Sequence, residues 1–387
     1  MKKRFGLPLF VLCAAVMLTA SSVPVMTAGA AETGIEFSSP SVILVEAGTG
    51  TVLFEKNAEE HRPIASMVKI MTLLLTFENV DAGELDINEE LTVSERAASM
   101  GGSQAFLDAG ASYNTSELIK SVVVASANDS CVVLAERISG SVEGFVEDMN
   151  ARASELGMED TNFVNCTGLP APNQYSCARD ASVMFSELIT HDEFFGYAGE
   201  WMFDLCHPSG RETVLTNTNR MIRTYEGCDG GKTGFTNEAM YCLSATARRG
   251  DMRLIGVITG AQSSKVRNAE MSELFDYGFA GWDVRQVIFK GVPADAVYEA
   301  PGSKEGRSRV APSADGFLLG RRGEENETET KCEFYEGLSL PLSAGSAVGK
   351  MTVTSGGKVV AESELVTLDE LTEKGWFDIV RDISQGM

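Results

Sequence analysis

From Ser66 to Glu78 the chain reads SMVKIMTLLLTFE, apolar at almost every position around a helical turn. The pattern predicts a buried helix over about residues 64–78. Upstream, residues 40–56 hold two apolar runs around Gly48-Thr49-Gly50, which predicts two strands and a turn. Residues 115–138 carry two helical patterns parted by a polar break at Ser126–Asp129. An amphipathic helix follows at 142–156, closed by Gly157, then a loop at 168–176 and a helix from Asp180 to Ile189. The period then changes to two. Residues 230–261 predict three strands with turns at Thr236–Asn237 and Gly250–Asp251, and a helix covers about 265–279. A strand pair, a mostly helical middle, an antiparallel meander and a closing helix predict a mixed α/β (α+β) fold, with helices against one antiparallel sheet.

Beyond Trp282 the texture shifts. VRQVIFKG and GKMTVTSGGKVVAESELVTL are strand-like, with polar, loop-rich sequence around RRGEENETETK between them. This predicts a small β-rich C-terminal domain at 284–366, after a first domain at 31–283. Residues 367–387 end in a short amphipathic helix that puts Trp376, Ile379, Val380 and Ile383 on one face. That face suits docking on its own domain. It also suits peripheral membrane contact, although acids outnumber bases there and membrane-surface helices carry a basic face.

The chain has 387 residues, 44% hydrophobic and 22% charged, the balance of a globular protein. Its first 30 residues begin MKKRFG, continue in a short apolar run and end in the small residues Ala28-Gly29-Ala30. They read as an export signal, which places the protein outside the cytoplasm. They carry Lys2, Lys3 and Arg4 and no acid, so the remainder stands three charges below the formal −23, at −26. So acidic a chain repels phosphate backbones, which excludes nucleic acid as a partner. Seven cysteines remain after Cys13: Cys131, Cys166, Cys177, Cys206, Cys228, Cys242 and Cys332. An odd number cannot all pair, and their spacing assigns no disulfide. No C-x-x-C pair occurs, and His61, His191 and His207 fall at no metal-binding spacing, so no metal site is read.

The buried helix contains one residue out of place, Lys69. Positions i and i+3 on a helix are neighbours, so its amine reaches the Ser66 hydroxyl. Burial among Met67, Val68, Ile70 and Met71 favours the neutral amine, and a neutral amine can take a proton from a serine. The plainer reading makes Ser66 a helix cap and lets Lys69 snorkel. The string S-x-x-K is weak alone. Ser355 to Lys358, SGGK, matches it too, but at a glycine turn between two strands, where it reads as a hairpin.

Two further strings matter. Ser126-Ala127-Asn128 sits in the break between two helices, where its polar groups can project to one side or simply form a capped turn. Lys232-Thr233-Gly234 opens the meander. Strand alternation puts Lys232 and Gly234 on one face and Thr233 on the other, unless the strand is twisted locally, and Gly234 lets a ligand approach the backbone. Lys232 and Thr233 can hold an anion such as a terminal carboxylate. A phosphate-binding P-loop is excluded, because position 226, which requires Gly, is Glu226, and a strand follows instead of a helix.

S-x-x-K, S-x-N and K-T-G in this order, on a helix, a helix break and a strand, form a set shared by serine β-lactamases and penicillin-binding proteins. The chain resembles the low-molecular-mass penicillin-binding proteins, the serine D-alanyl-D-alanine carboxypeptidases of peptidase family S11. The likeness extends through LGMEDTNFVNCTGLP, QYSCARDAS and CDGGKTGFTNEAMYCLSATARRG to LPLSAGSAVGKMTV in the C-terminal β domain. The resemblance implies a β-lactamase/transpeptidase-like catalytic domain that removes the last D-alanine of peptidoglycan stem peptides through an acyl-enzyme. It implies inhibition by β-lactam antibiotics, a cell-wall location and no cofactor. By the same likeness Ser66 is the acylated nucleophile, Lys69 its base, Ser126 the proton relay to the leaving amine, and Asn128 the binder of the substrate amide. Lys232 and Thr233 hold the substrate carboxylate beside Gly234, and the N–H groups of Ser66 and Phe235 form the oxyanion hole. Arg220 and Arg267 fall where the family often has basic residues near that carboxylate, and equally suit plain surface arginines.

Some positions depart from the family. Thr167 precedes Gly168-Leu169 where some members carry histidine. Cys166 and Cys228 sit close to the site, and a lowered thiol pKa at either would make it oxidisable. Three other activities share the fold: a DD-endopeptidase, a β-lactamase, and a non-catalytic wall or β-lactam sensor. A β-lactamase needs a deacylating base. Glu159 is the nearest candidate, one residue short of the usual spacing and on a segment that reads as strand.

Overall fold

The computed structural model describes residues 35–324, 326–378 and 380. The predicted export signal at 1–30 and much of the predicted C-terminal helix, including Ile379 and Ile383, lie outside the described residues. In chain order the elements begin β1 (Ser41–Glu46), β2 (Val52–Lys56), a 3-10 turn (Ala65–Val68) running into α1 (Lys69–Asp81), β3 (Glu90–Thr92), α2 (Glu95–Ala98) and β4 (Ser112–Asn114). The helices α3 (Thr115–Ala125), α4 (Asn128–Ser139), α5 (Val142–Glu155), α6 (Ala178–Leu188) and α7 (Asp192–Ala198) follow. Next come the hairpin β5 (Met202–Cys206) and β6 (Glu212–Thr216), α8 (Met221–Thr224), the meander β7 (Cys228–Thr236), β8 (Met240–Arg249) and β9 (Met252–Ala261), and α9 (Ser264–Gly281).

These residues fold around an antiparallel sheet in the order β2-β1-β9-β8-β7. All six residues of β1 are buried, as an inner strand covered on both faces requires. Alternation sends Val42 and Leu44 to one face and Ile43 to the other. The first face packs on α9 through Leu254, Met271, Leu274 and Phe275. The second packs on the helical lobe through Leu73, Leu74, Met184 and Phe185. α1 runs through this second core, and every residue from Lys69 to Phe77 is buried. The predicted break between the two middle helices is present: α3 ends as Ser126 turns left-handed, and α4 starts at Asn128. The meander closes with β7 at the edge of the sheet, leaving one side of that strand free of strand partners.

From Trp282 the chain is built of β10 (Trp282–Ile288), β11 (Val297–Glu299), β12 (Arg307–Pro312), β13 (Gly316–Arg321), β14 (Thr328–Phe334), β15 (Ala347–Ser355) and β16 (Lys358–Thr367). They pair as β10-β13 and as β11-β12-β16-β15-β14, over a small core of Ile288, Val310, Val348, Val353 and Leu365. The S-x-x-K decoy is the turn of the β15–β16 hairpin, with Gly356 and Gly357 at φ +55° and +75°.

Some expectations need correction. The polar stretch expected to be loop-rich contains β14, whose residues Thr328–Phe334 pair with β15. It escapes the apolar-alternation rule because it is an edge strand with no fully buried residue. Glu159 lies in a turn, not a strand. The small elements β3–β4, β5–β6 and α7 carry too short a period to be read. All seven cysteines among the described residues are unpaired. No helix among the described residues is long and apolar enough to cross a membrane.

α9 approaches the sheet most closely at Gly256. A Cβ there would stand 2.4 Å from Met271 Sδ, 3.3 Å from Leu274 and 3.2 Å from Phe275. Gly256→Val therefore overpacks a closed core and is expected to destabilise the protein by about 1–3 kcal/mol. A lowered thermal midpoint checks this, and an unchanged one refutes the close packing.

Candidate active site

Three segments meet in one cleft: the start of α1, the α3–α4 break and the edge strand β7. Ser66 lies inside the 3-10 turn, and Lys69 follows it as the first residue of α1. Lys69 Nζ stands 3.1 Å from Ser66 Oγ and also donates to the Thr167 carbonyl. Its side chain has no exposure at all. Burial is the leading influence and lowers its pKa, against the opposing pull of Cys131, Cys166 and Asp129.

The Thr167 carbonyl is held in place from below. Asn165 Oδ1 accepts from the N–H groups of Thr167 at 3.1 Å and Gly168 at 2.7 Å. Gly168 has φ +79°, and a Cβ there would lie 2.0 Å from the Ala65 carbonyl oxygen and 2.9 Å from Ser66 N. No other residue fits. Gly234 does the same from the opposite side, its absent Cβ 2.6 Å from the Ile64 carbonyl oxygen and 3.2 Å from Ser66 N.

The helix break supplies the next groups. Ser126 is left-handed at φ 63°, ψ 36°, a costly conformation for a serine. Its Oγ accepts from Lys232 Nζ at 2.8 Å. Asn128 Nδ2 donates to the Gly101 carbonyl at 2.6 Å, while its Oδ1 is buried without a partner. The Asp129 carboxylate accepts from Ala105 N at 3.0 Å and Leu107 N at 3.1 Å, which ties the loop around Ser103 to this break.

Lys232 is as buried as Lys69, and its pKa is lowered well below the usual lysine value. Burial is the main cause, and the like charges of Lys69 and Arg267 add to it. Thr233 does not face away, as plain alternation would have it. It lines the cleft with Ser66 and Ser126, and its hydroxyl donates to Thr218 Oγ1 at 2.8 Å. Phe235 is exposed and packs on Tyr241 at 4.4 Å between ring centroids.

The two arginines separate. Arg220 is exposed at the cleft wall, whereas Arg267 is only 5% exposed. Arg267 donates to the Cys242 carbonyl at 3.3 Å and to Asn268 Oδ1 at 3.0 Å, and burial brings its pKa down to about 10. It is not a plain surface arginine. Thr218 and Tyr241 complete the wall and were not legible as site residues. Thr218 follows β6, which no sequence signal marks, although the string Asn217-Thr218-Asn219 is built for a turn. Asn217 Oδ1 accepts from Asn219 N at 2.9 Å, and Asn219 Oδ1 from Met221 N at 3.1 Å. Glu159 is exposed and does not line the cleft. Cys166 and Cys228 are pushed up to about 12 by burial, so neither is an activated thiol. The cleft, of about 630 Å³, thus offers a hydroxyl beside a buried amine, a second hydroxyl beside a second amine, and a cationic wall.

Comparison with known proteins agrees with this geometry. The D-alanyl-D-alanine carboxypeptidase family, Peptidase S11, matches residues 26–263, and the C-terminal domain of penicillin-binding protein 5 matches residues 287–373. The chain is 36% identical to D-alanyl-D-alanine carboxypeptidase DacF of Bacillus subtilis, over 88% of each chain. It is 32% identical to DacC of Escherichia coli, over 92% of this chain and 90% of that one. Among solved structures, penicillin binding protein 5 from Haemophilus influenzae superposes with a TM-score of 0.71 at 28% identity, over 88% of this chain and 99% of that one.

Two outcomes follow from the buried groups. A lysine whose folded-state pKa is lowered binds fewer protons folded than unfolded, so its burial destabilises the fold below 10.5 and ceases to do so as pH rises toward that value. The native protein is therefore expected to gain stability relative to Lys69→Met as pH rises, measured by denaturant unfolding at a series of pH values. A constant difference between the two would show an unshifted amine. Among the seven described thiols, iodoacetamide is expected to label Cys206, the exposed one, in the native state and to spare Cys166 and Cys228 until unfolding. Mass spectrometry of the labelled peptides checks this.

Proposed function

This chain belongs to the D-alanyl-D-alanine carboxypeptidase family, Peptidase S11, and is a D-alanyl-D-alanine carboxypeptidase; on that premise we propose that it works through an acyl-enzyme on Ser66. The observation that carries the reading is the fully buried Lys69 amine, 3.1 Å from Ser66 Oγ and free of any carboxylate partner among the described residues. A neutral lysine in that position is a base for the serine proton.

In the proposed reaction the substrate is a peptidoglycan stem peptide ending in D-Ala-D-Ala. Its terminal carboxylate lies against Lys232, Thr233, Arg220 and Arg267, and Asn128 uses its unpartnered Oδ1 for a substrate amide N–H. Lys69 takes the Ser66 proton as Oγ attacks the penultimate carbonyl. The negative charge on that oxygen falls to the N–H groups of Ser66 and Phe235, a reading supported by the close approach of Gly234, the neighbour of Phe235, to Ser66 N. Ser126 relays to the leaving amine the proton that Lys69 took from Ser66, giving up its own hydroxyl proton and receiving that of Lys69, and its hydroxyl is oriented by Lys232 at 2.8 Å. The C–N bond breaks, D-alanine leaves, and water then releases the shortened peptide from Ser66.

The same pair would open a β-lactam ring. There the leaving group stays tethered and obstructs water, and the cleft lining contains no carboxylate to activate that water. This favours lasting acylation over β-lactamase turnover. Residues 31–283 would form the catalytic domain and 284–366 the C-terminal domain. Residues 1–30 would direct export to the wall or the outer face of the cytoplasmic membrane. The exposed Trp376 and Phe377 support peripheral contact of the C-terminal segment with that membrane.

The test is release of D-alanine from a peptide ending in D-Ala-D-Ala, together with attachment of a labelled penicillin. Ser66→Ala is expected to lower release by about 10³-fold or more and to abolish attachment. Release that survives the substitution overturns the assignment. Penicillin attachment without D-alanine release, but with cleavage of cross-linked peptides, would identify an endopeptidase instead.

A further inference from the structure

The cleft extends further than a terminal D-alanine requires. Past Thr233 and Arg267 it continues over Tyr241 to Ser264, Lys265 and Asn268 at the start of α9. Its side chains are one-sided in charge. Arg220, Arg267 and Lys265 line it, Lys232 stands behind it, and no Asp or Glu does. The chain as a whole is the reverse, with 55 acids against 32 lysines and arginines. Elsewhere Arg96, Arg137, Arg152, Arg179, Arg211 and Arg253 each have a carboxylate partner, although exposed arginines such as Arg223 and Arg248 do without one among the described residues. None of the three cations that line it makes an ion pair among the described residues. The first acid along α9, Glu270, does not serve them, because its carboxylate accepts from Ser38 and Ser39. Arg267 is the second sign of a missing anion: it is 95% buried, and among the described residues its side chain has as partners a carbonyl and an amide oxygen.

One carboxylate neutralises one of these charges. We propose that the far end of the cleft is a second anion subsite, formed by Lys265 with Ser264 and Asn268, which accepts an acidic side chain on the leaving D-amino acid. This rests on the reading under Proposed function, which fixes the reacting carbonyl at Ser66 and the terminal carboxylate at Thr233 and Arg267. What lies beyond that carboxylate faces the leaving residue and not the stem. Asn268 lines the cleft and its Oδ1 accepts from Arg267 Nε at 3.0 Å, which leaves Nδ2 as the donor of that amide. The enzyme therefore prefers D-glutamate over D-glutamine as leaving residue, two side chains of nearly equal size.

The experiment compares kcat/KM for three peptides ending in D-Ala-D-Ala, D-Ala-D-Glu and D-Ala-D-Gln. The native enzyme is expected to favour D-Glu over D-Gln by about two- to fivefold, the range of one partly exposed charge pair. Lys265→Gln should bring the ratio close to one and Lys265→Glu should bring it below one. A ratio at or below one in the native enzyme overturns the subsite, as does a ratio that Lys265→Glu leaves unchanged. Cleavage of the D-Ala peptide with neither longer residue released also overturns it, since the cleft is then closed to side chains. Absence of D-alanine release from the first peptide is a different result and overturns the carboxypeptidase reading itself.

Discussion

An ammonium group enclosed by hydrocarbon is so unfavourable that the surrounding chain must either neutralise it or give it oxygen atoms to face. Lys69 sits under that constraint, and much of the site's backbone follows from it. The amine faces two oxygens, Ser66 Oγ and the Thr167 carbonyl. To bring the second within reach, the Asn165–Leu169 loop must press against Ala65 and Ser66. That contact leaves no room for a Cβ at position 168, and Ala65 itself is bent to φ +48°. On the other side Gly234 allows β7 to lie equally close to the same turn. Two glycines on distant segments thus answer to one lysine.

A similar logic applies to the helix break. α3 could continue into α4 only by carrying Ser126 away from Lys232. The chain instead holds Ser126 left-handed, at a cost of about 1–2 kcal/mol. Asn128 and Asp129 make the break rigid by binding the 101–107 loop through Gly101, Ser103, Ala105 and Leu107. Local strain here is maintained by a polar network that extends well beyond the strained residue.

What could be read from the sequence divides along physical lines. Ser66 and Lys69 were legible because helical spacing alone makes i and i+3 neighbours, and a charged residue in an apolar helix breaks the pattern visibly. The meander and α9 were legible through their period. The face of Thr233 was not, because β7 is an edge strand whose open side and twist let consecutive residues share one cleft. Arg267 could be placed near a carboxylate only by resemblance. Its burial depends on α9 meeting the start of β8 at Cys242, a contact 25 residues apart in sequence that no local pattern encodes. Thr218 was hidden for the same reason, since its value lies in the hydroxyl of Thr233, 15 residues later. β14 was hidden because it has no fully buried residue to announce it.

The two buried lysines pose a problem that only a ligand resolves. Both amines are lowered by burial, and Lys69 is among the charges that lower Lys232. From the protein's own groups Lys232 is the more strongly lowered, because Lys69 and Arg267 add to its burial while Asp129 opposes the lowering of Lys69, and both amines face uncharged oxygens: Ser66 and Thr167 for one, Ser126 and Thr233 for the other. Their surroundings differ on the open side. Lys232 lies behind Ser126 and feels the charge of Arg267 in the cleft lining, whereas Lys69 lies behind Ser66. A carboxylate entering the cleft therefore favours the protonated form of Lys232. The added positive charge of Lys232, in turn, favours the neutral form of Lys69. On the proposed mechanism the substrate's own charge assigns the roles, fixing one lysine as anchor and the other as base. A cleft with no acid of its own suits that arrangement, because a resident carboxylate would make the assignment before any substrate arrived.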